Sequence, residues 1–162
     1  GGGEGGEGGL IGTPGSTIPA DTVVTNGDFE SGTASWDGVF DIVNGAANIV
    51  IEGGEGRIKQ TRIGMGTVTP GQELVLTFDI AGTAGPGSIF NGVIHSMDTS
   101  GVSDTFVIPT IVPTTTWQTV THTFTAGSQL GWGLDLTMGP VCGAVAGCGM
   151  DVHIDNVSIS PK

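Results

Sequence analysis

Apolar and polar residues alternate with a period of two along much of this chain. In the segment 73–81, the even-numbered residues from Leu74 to Ile80 are apolar, while Thr77 and Asp79 have the opposite parity. In an extended strand, successive side chains point to opposite faces, so the even-numbered positions are predicted to face a core. The segment that begins at Leu130 shows the same alternation over its second half.

Turn residues interrupt this pattern roughly every ten residues, which is typical of a β-sandwich. The 3.6-residue period of a helix does not persist for three turns anywhere, so almost no helix is expected. The sequence therefore predicts an all-β protein with an antiparallel two-sheet β-sandwich. The predicted strands are Val39–Val43, Ala47–Glu52, Arg57–Ile63, Glu73–Ala81, Ile89–Ser96, Asp104–Val112, Trp117–Thr125, Leu130–Met138 and Met150–Ser160.

The N-terminal segment differs from the rest of the chain. Residues 1–21 read GGGEGGEGGLIGTPGSTIPAD, a Gly-rich composition that favours a linker or an assembly tail. Its glycines do not predict a phosphate-binding loop, because no strand precedes them, no helix follows and no lysine is nearby. We therefore divide the chain into this tail, residues 1–21, and one sandwich domain, residues 22–160.

The charge balance narrows the range of partners. The chain of 162 residues has 16 acidic and 4 basic side chains, and its formal net charge is −12. Such a charge repels nucleic acids and anionic lipids, so neither is an expected partner. No apolar run approaches the length that spans a bilayer, so membrane insertion is not expected either.

The two cysteines lie close together in a loop that reads VCGAVAGCGM. Cys142 and Cys148 lack the further ligands of a zinc site and do not form a CxxC redox pair. A local disulfide is expected, and it would indicate an oxidising, extracellular compartment. Closing so short a loop would contribute about 2 kcal/mol. The alternative is a pair of free, buried thiols.

A stretch near the start, VTNGDFESGTASW from Val24 to Trp36, combines a turn signal with two acids. Asn-Gly favours a tight reversal, and Asp28 and Glu30 have the same parity. Carboxylate and carbonyl oxygens held together suit a hard cation such as Ca²⁺. The alternative is a turn with two solvated acids.

The last predicted strand contains the sequence IDNVSI, in which Asp155-Asn156 interrupts the alternation and predicts a bulge. The order NGDFE…W near the start and IDNVSI at the end resembles the carbohydrate-binding modules of families 4, 9 and 22. The resemblance covers about Thr22 to Ile159. It implies a β-jelly roll in which the first and last strands are neighbours. It also implies a structural Ca²⁺ bound by Glu30, Asp155 and the Asp28 carbonyl.

Sugar binding usually needs aromatic faces and planar polar side chains. This chain has no Tyr, and Trp132 is the natural stacking residue, although its parity also suits a core or rim position. Three of the four basic residues fall within one predicted strand. Such groups can line a cleft for a hydrated or uronic-acid polymer, and the alternative is solvated strand faces with cross-strand ion pairs. The predicted ligand-binding residues are Arg57, Lys59, Gln60, Asn91, His95 and Trp132, with Asp79, Gln118 and Asp135 also on non-core parities.

Two functions remain open at this stage, and neither is an enzyme. The sequence has no GxSxG motif and singles out no carboxyl pair of the kind that a glycosidase needs. The first function is a non-catalytic, extracellular module that binds a polysaccharide. The second is a structural subunit of an extracellular fibre or surface layer, in which Gly1–Asp21 docks into a neighbouring copy.

Overall fold

The computed structural model describes residues 9–162, and it confirms the predicted all-β sandwich. A five-stranded sheet has the order β1-β2-β9-β4-β7, and a four-stranded sheet has the order β3-β8-β5-β6. All strand pairs are antiparallel. Within residues 9–162, no helix is long and apolar enough to cross a membrane. The strands are β1 Asp41–Val43, β2 Ala46–Ile51, β3 Ile58–Ile63, β4 Glu73–Ala84, β5 Ser88–Asp98, β6 Gly101–Ile111, β7 Gln118–Thr125, β8 Leu134–Cys142 and β9 Met150–Pro161.

The core lies between the two sheets and is built by the predicted alternation. The even-numbered residues of β4 from Leu74 to Ile80 are fully buried. Phe78 of β4 packs across the sandwich against Phe90 of β5, with ring centroids 5.9 Å apart. Each fully buried side chain of this size stabilises the fold by about 2 kcal/mol, so the inward rows hold the two sheets together.

One strand begins later than its sequence pattern suggests. The prediction placed it at Leu130–Met138, but β8 begins at Leu134 and continues to Cys142. The Gly133 N–H bonds the Leu130 carbonyl at 2.9 Å, and Gly133 has a φ of 69°. Residues 130–133 therefore form a turn, and Trp132 lies in that turn instead of in the strand.

The N-terminal stretch 23–27 and the last strand, β9, are neighbours, as the jelly-roll resemblance implies. Val23 N–H bonds the Ile159 carbonyl at 2.8 Å, and Val157 N–H bonds the Gly27 carbonyl at 2.8 Å. A Cβ atom on Gly27 would lie 1.9 Å from the Val157 oxygen, so this close approach requires glycine.

The outer strands of both sheets have distinct neighbours. β1 has only three residues. Beside β3, Asp37 and Lys59 exchange two backbone hydrogen bonds of 2.8 and 2.9 Å. Just before β7, Ile11 forms a parallel bridge with Thr116. β6 is the outermost strand of the four-stranded sheet and contains Pro109.

The predicted disulfide is present. Cys142 and Cys148 are bonded, and they close the loop between β8 and β9. The bond therefore fixes the entry into the strand that pairs with both β2 and β4.

Candidate functional site

The solvent-facing side of the four-stranded sheet carries most of the predicted ligand-binding residues. Ile58 of β3, Ile94 of β5 and Leu136 of β8 are buried in the core, so the residues next to each of them on the same strand point outward. One outward row crosses the sheet in register from β3 to β6 and consists of Lys59, Thr137, Val93 and Val107. A second row lies two residues further along the strands and consists of Asp135, His95 and Thr105. We call this side the β3–β6 face. Its residues are Lys59, Asn91, Val93, His95, Thr105, Val107, Asp135 and Thr137.

A shallow depression of about 270 Å³ lies at one end of the β3–β6 face. Its floor includes Gly92, where a Cβ atom would lie 2.2 Å from the Thr137 oxygen, so a side chain there would clash with β8. Val107 contributes an apolar wall and is 66% exposed. The residues that line the depression are Arg57, Asn91, Gly92, Val93, Val107 and Thr137.

Arg57 closes this end of the face by binding to the protein itself. Its Nη1 donates to the carbonyl oxygens of Asn91 at 2.7 Å and Gly139 at 3.0 Å. Its Nε donates to Glu55 Oε2 at 3.3 Å. Arg57 therefore ties β5 and β8 to the segment that precedes β3, and its side chain forms a wall of the depression.

Trp132 stands at the opposite end of the face. Its backbone N–H bonds the Met97 carbonyl at 3.0 Å, and the residue is 40% exposed. The Arg62 guanidinium carbon lies 4.6 Å from the centre of the indole ring. A cation over an indole face is attracted by the ring's negative face, so this contact fixes both side chains. Trp132 thus occupies a rim position with an accessible ring.

The structure corrects the prediction for Gln60. The residue is 4% exposed and points into the core side of β3. Its Oε1 accepts the Thr25 N–H at 2.9 Å, and its Nε2 donates to the Thr25 carbonyl at 2.8 Å. Gln60 therefore tethers the N-terminal stretch to β3. A register shift between Gln60 and Ile63 turns Arg62 outward, although both residues have the same parity.

Asp79 is also removed from the β3–β6 face, because it belongs to the five-stranded sheet. It is fully buried beneath the N-terminal segment. Ser16 donates to Asp79 Oδ2 twice, from N at 3.1 Å and from Oγ at 2.8 Å. Asn156 Nδ2 donates to the same oxygen at 2.9 Å, and Thr119 Oγ1 donates to Oδ1 at 2.6 Å. These four bonds stabilise a buried carboxylate. Gln118 lies on β7 of the same sheet.

Asp155 lies directly opposite Asp79 in the pairing of β9 with β4. It is fully buried, and its Oδ1 accepts the Asn156 N–H at 2.8 Å. Burial raises the pKa of Asp155 from its ordinary value of 3.8 to about 6, and the Asp79 charge acts in the same direction. The desolvated side chain therefore favours its protonated form more than an exposed aspartate does.

The other two calcium candidates lie on an outer turn. Phe29 has a φ of 55°, so residues 28–30 are not extended and the parity argument does not apply to them. Asp28 Oδ1 accepts the Glu30 N–H at 3.2 Å, and Glu30 is exposed. Within the described part of the chain, no group of three or more His, Cys, Asp or Glu side chains could hold a metal ion.

The predicted calcium site uses only two of these carboxylates, Glu30 and Asp155, together with the Asp28 carbonyl oxygen. Binding of a structural Ca²⁺ by these three groups therefore remains a proposal.

Comparisons with solved structures place this architecture among known proteins. A family 4 carbohydrate-binding module is similar over 83% of this chain and 99% of its own, with 14% identity and a TM-score of 0.61. A family 22 xylan-binding domain from Paenibacillus barcinonensis is similar over 84% of this chain and 98% of its own, with 14% identity and a TM-score of 0.59. The chain has the fold of a carbohydrate-binding module.

This likeness is one of fold, since identities of this size say little about function. No family model and no curated protein matches the sequence. The same fold also occurs inside a larger protein. The enzymatically active domain of tailspike protein 4 from bacteriophage CBA120 is similar over 88% of this chain but 22% of its own, with 16% identity and a TM-score of 0.64.

A wider depression of about 760 Å³ was not predicted from the sequence. It lies between the N-terminal stretch 21–25 and residues 60–67, and it includes Ser35. Arg62 belongs to its lining and also contacts Trp132. This side chain therefore borders both the wider depression and the end of the β3–β6 face. Arg62 was visible in the sequence only as a member of the basic cluster.

Part of the predicted tail packs on the β-sandwich. The whole segment Gly1–Asp21 was predicted to be a linker or an assembly element. Its first part, Gly1–Gly8, lies outside the described residues. Leu10 is 6% exposed. Ile11 N–H bonds the Thr115 carbonyl at 2.6 Å, and Ser16 bonds Asp79. Docking of this tail into a neighbouring copy remains a prediction.

Proposed function

We propose that this protein is a non-catalytic, extracellular module that binds a polysaccharide along the β3–β6 face. The observation that supports this proposal most directly is the depression of about 270 Å³ on an exposed sheet face of a carbohydrate-binding-module fold. A structural neighbour with the same fold is a xylan-binding domain, so the architecture accommodates glycan binding.

The side chains of the face suit hydroxyl groups. Asn91 and Thr137 line the depression, and His95 and Asp135 follow in the next row. His95 Nδ1 and Thr105 Oγ1 are 3.0 Å apart, which orients the imidazole ring. Amide, hydroxyl, imidazole and carboxylate groups together offer both donors and acceptors to a sugar.

The face is also long enough for an extended polymer. From Asn91 to Met97, β5 advances by about 20 Å, because each strand residue adds roughly 3.3 Å. Trp132 lies beside Met97 at the far end and offers an accessible ring for stacking. A glycan chain would therefore run from the depression to Trp132, mainly through hydrogen bonds, and stack at its end.

The proposed absence of catalysis follows from the composition of the depression. A glycosidase needs two carboxyl groups on either side of the scissile bond. None of the six residues that line the depression is acidic. The proposed extracellular location rests on the disulfide between Cys142 and Cys148, because such bonds persist in oxidising compartments.

Affinity electrophoresis and calorimetry with soluble xylan, β-glucan, galactan and polygalacturonate test the proposal. The variant Asn91→Ala/His95→Ala should lower the affinity for a bound glycan about thirtyfold, since two hydrogen bonds of about 1 kcal/mol each are lost. Thr123→Ala, which changes an exposed residue of β7 in the other sheet, is the matched control and should bind normally. Failure of the unmodified protein to bind any glycan, or full binding by the double variant, would refute the proposal.

A further inference from the structure

The few basic side chains of this acidic protein are distributed unevenly. The chain has 4 basic residues against 16 acidic ones. Arg57 is paired with Glu55 at 3.3 Å, and Lys162 is paired with Glu73 at 3.7 Å. Within residues 9–162, neither Lys59 nor Arg62 takes part in an ion pair. Among the described residues, this acidic protein thus leaves two cations of one strand without an ion pair.

Both of these cations border the proposed glycan path. Lys59 is exposed and lies in register with Thr137, in the row that crosses the depression. Its hydrogen bonds with Asp37 are made by the two backbones. Arg62 lies over Trp132 at the other end of the path. The two positions are roughly 7 to 10 Å apart along β3, because each residue adds about 3.3 Å and a bulge intervenes.

The chemistry of the two groups is complementary toward carboxylates. A guanidinium offers a planar fork that matches a carboxylate, and an ammonium is a compact point charge. The nearest acid on the face, Asp135, accepts the Arg62 backbone N–H at 3.3 Å. The other acids repel an anionic polymer, but at physiological ionic strength charges more than about 8 Å away are largely screened. Local cations therefore determine which glycan can approach.

We infer that the glycan bound on the β3–β6 face is a uronic-acid polymer, and that Lys59 and Arg62 bind its carboxylates. This inference rests on the proposed function of the face. It adds a requirement for negative charge on the ligand, which a neutral glycan would not meet. Arg57 has a different role, because its guanidinium is bound to two backbone carbonyls and Glu55.

The test compares polygalacturonate with the same polymer after methyl esterification, which removes the charge and keeps the sugar chain. Binding is measured by calorimetry at 0.15 M salt with EDTA, so that calcium cannot bridge carboxylates. The unmodified protein should bind the free-acid polymer about tenfold more tightly than the ester. Lys59→Gln/Arg62→Gln should lose this preference. Lys162→Gln, which removes a paired cation elsewhere, should retain it.

The outcomes separate this inference from the proposed function. Equal binding of acid and ester, or tight binding of neutral xylan alone, would overturn the inference and leave glycan binding intact. An undiminished preference in the double variant would show that other groups recognise the charge. Tighter binding of dextran sulfate than of polygalacturonate would indicate unspecific attraction of polyanions and would also overturn it. Binding of no polymer at all would refute the proposed function itself.

Discussion

Replacing Asp155 by Asn should stabilise the protein at neutral pH. Asp155 is fully buried beside Asp79, and burial raises its pKa to about 6. The substitution keeps the shape of the side chain but removes the group that must ionise without water. We therefore expect Asp155→Asn to unfold at a higher urea concentration than the unmodified protein at pH 7.

The magnitude follows from the linkage between protonation and folding. The difference between the ordinary pKa of 3.8 and a folded-state pKa of about 6 corresponds to about 3 kcal/mol. Because the folded protein holds the proton more tightly than the unfolded chain, stability falls as pH rises from 3.8 to about 6 and then levels off. The variant should lack this decrease and gain up to about 3 kcal/mol at pH 7.

Urea unfolding in EDTA, followed by tryptophan fluorescence at half-unit steps from pH 3.5 to 7.5, measures this difference. Trp36 is buried in the core and reports on unfolding. Other groups titrate in the same range, so the informative quantity is the free energy of unfolding of Asp155→Asn minus that of the unmodified protein. Asp41→Asn, which changes an exposed acid of β1, is the matched control.

Two results would contradict this reasoning. A variant that is less stable than the unmodified protein at pH 7 in EDTA would show that the ionised carboxylate stabilises the fold. A stability difference that does not change between pH 4 and 6 would show that Asp155 does not titrate there. Repeating the series with calcium adds a third comparison, because a calcium-dependent stabilisation that disappears in Asp155→Asn would identify this residue as a ligand.

Three further predictions concern the ends of the chain. Gly27→Ala should destabilise the protein by about 1 to 3 kcal/mol in urea unfolding, because its Cβ would lie 1.9 Å from a β9 carbonyl oxygen; Gly143→Ala, which meets nothing within 4 Å, should not. Replacing Cys142 and Cys148 by Ser should lower the free energy of unfolding by about 2 kcal/mol in the same assay, and an unchanged value would contradict the chain-entropy account. Calcium should raise the melting temperature relative to EDTA, and less so in Glu30→Gln; equal melting temperatures would exclude a site at this turn.

The sequence pattern predicted the strands well because both sheets bury one face. Alternation in 73–81 identified β4, although the strand continues to Ala84. The pattern placed the start of β8 too early, since Leu130 is apolar but belongs to a turn closed by Gly133. Apolar residues in such a turn have the same composition as a strand end, so the boundary could not be read from residue types.

The site was harder to predict, because parity shows which side of a strand is polar but not which sheet contains the strand. Asn91 and Asp79 had equivalent patterns, yet Asp79 lies on the five-stranded sheet and is buried under Ser16. Gln60 and Arg62 have the same parity, which places both on one side of a regular strand, but the bulge between Gln60 and Ile63 separates their side chains. Arg62 has a φ of 57°, a conformation that its sequence does not signal.

The edge strands of the two sheets affect how the protein behaves at high local concentration. Unpaired strand edges recruit other chains and lead to aggregates. In this protein β1 is too short to be a template, Asp37 occupies part of the β3 edge, and Ile11 pairs with the residues just before β7. Pro109 deprives the β6 edge of a hydrogen-bond donor. Many copies can therefore bind along one polymer without pairing of their sheets. A fibre made by strand addition would first have to displace one of these edge-protecting segments.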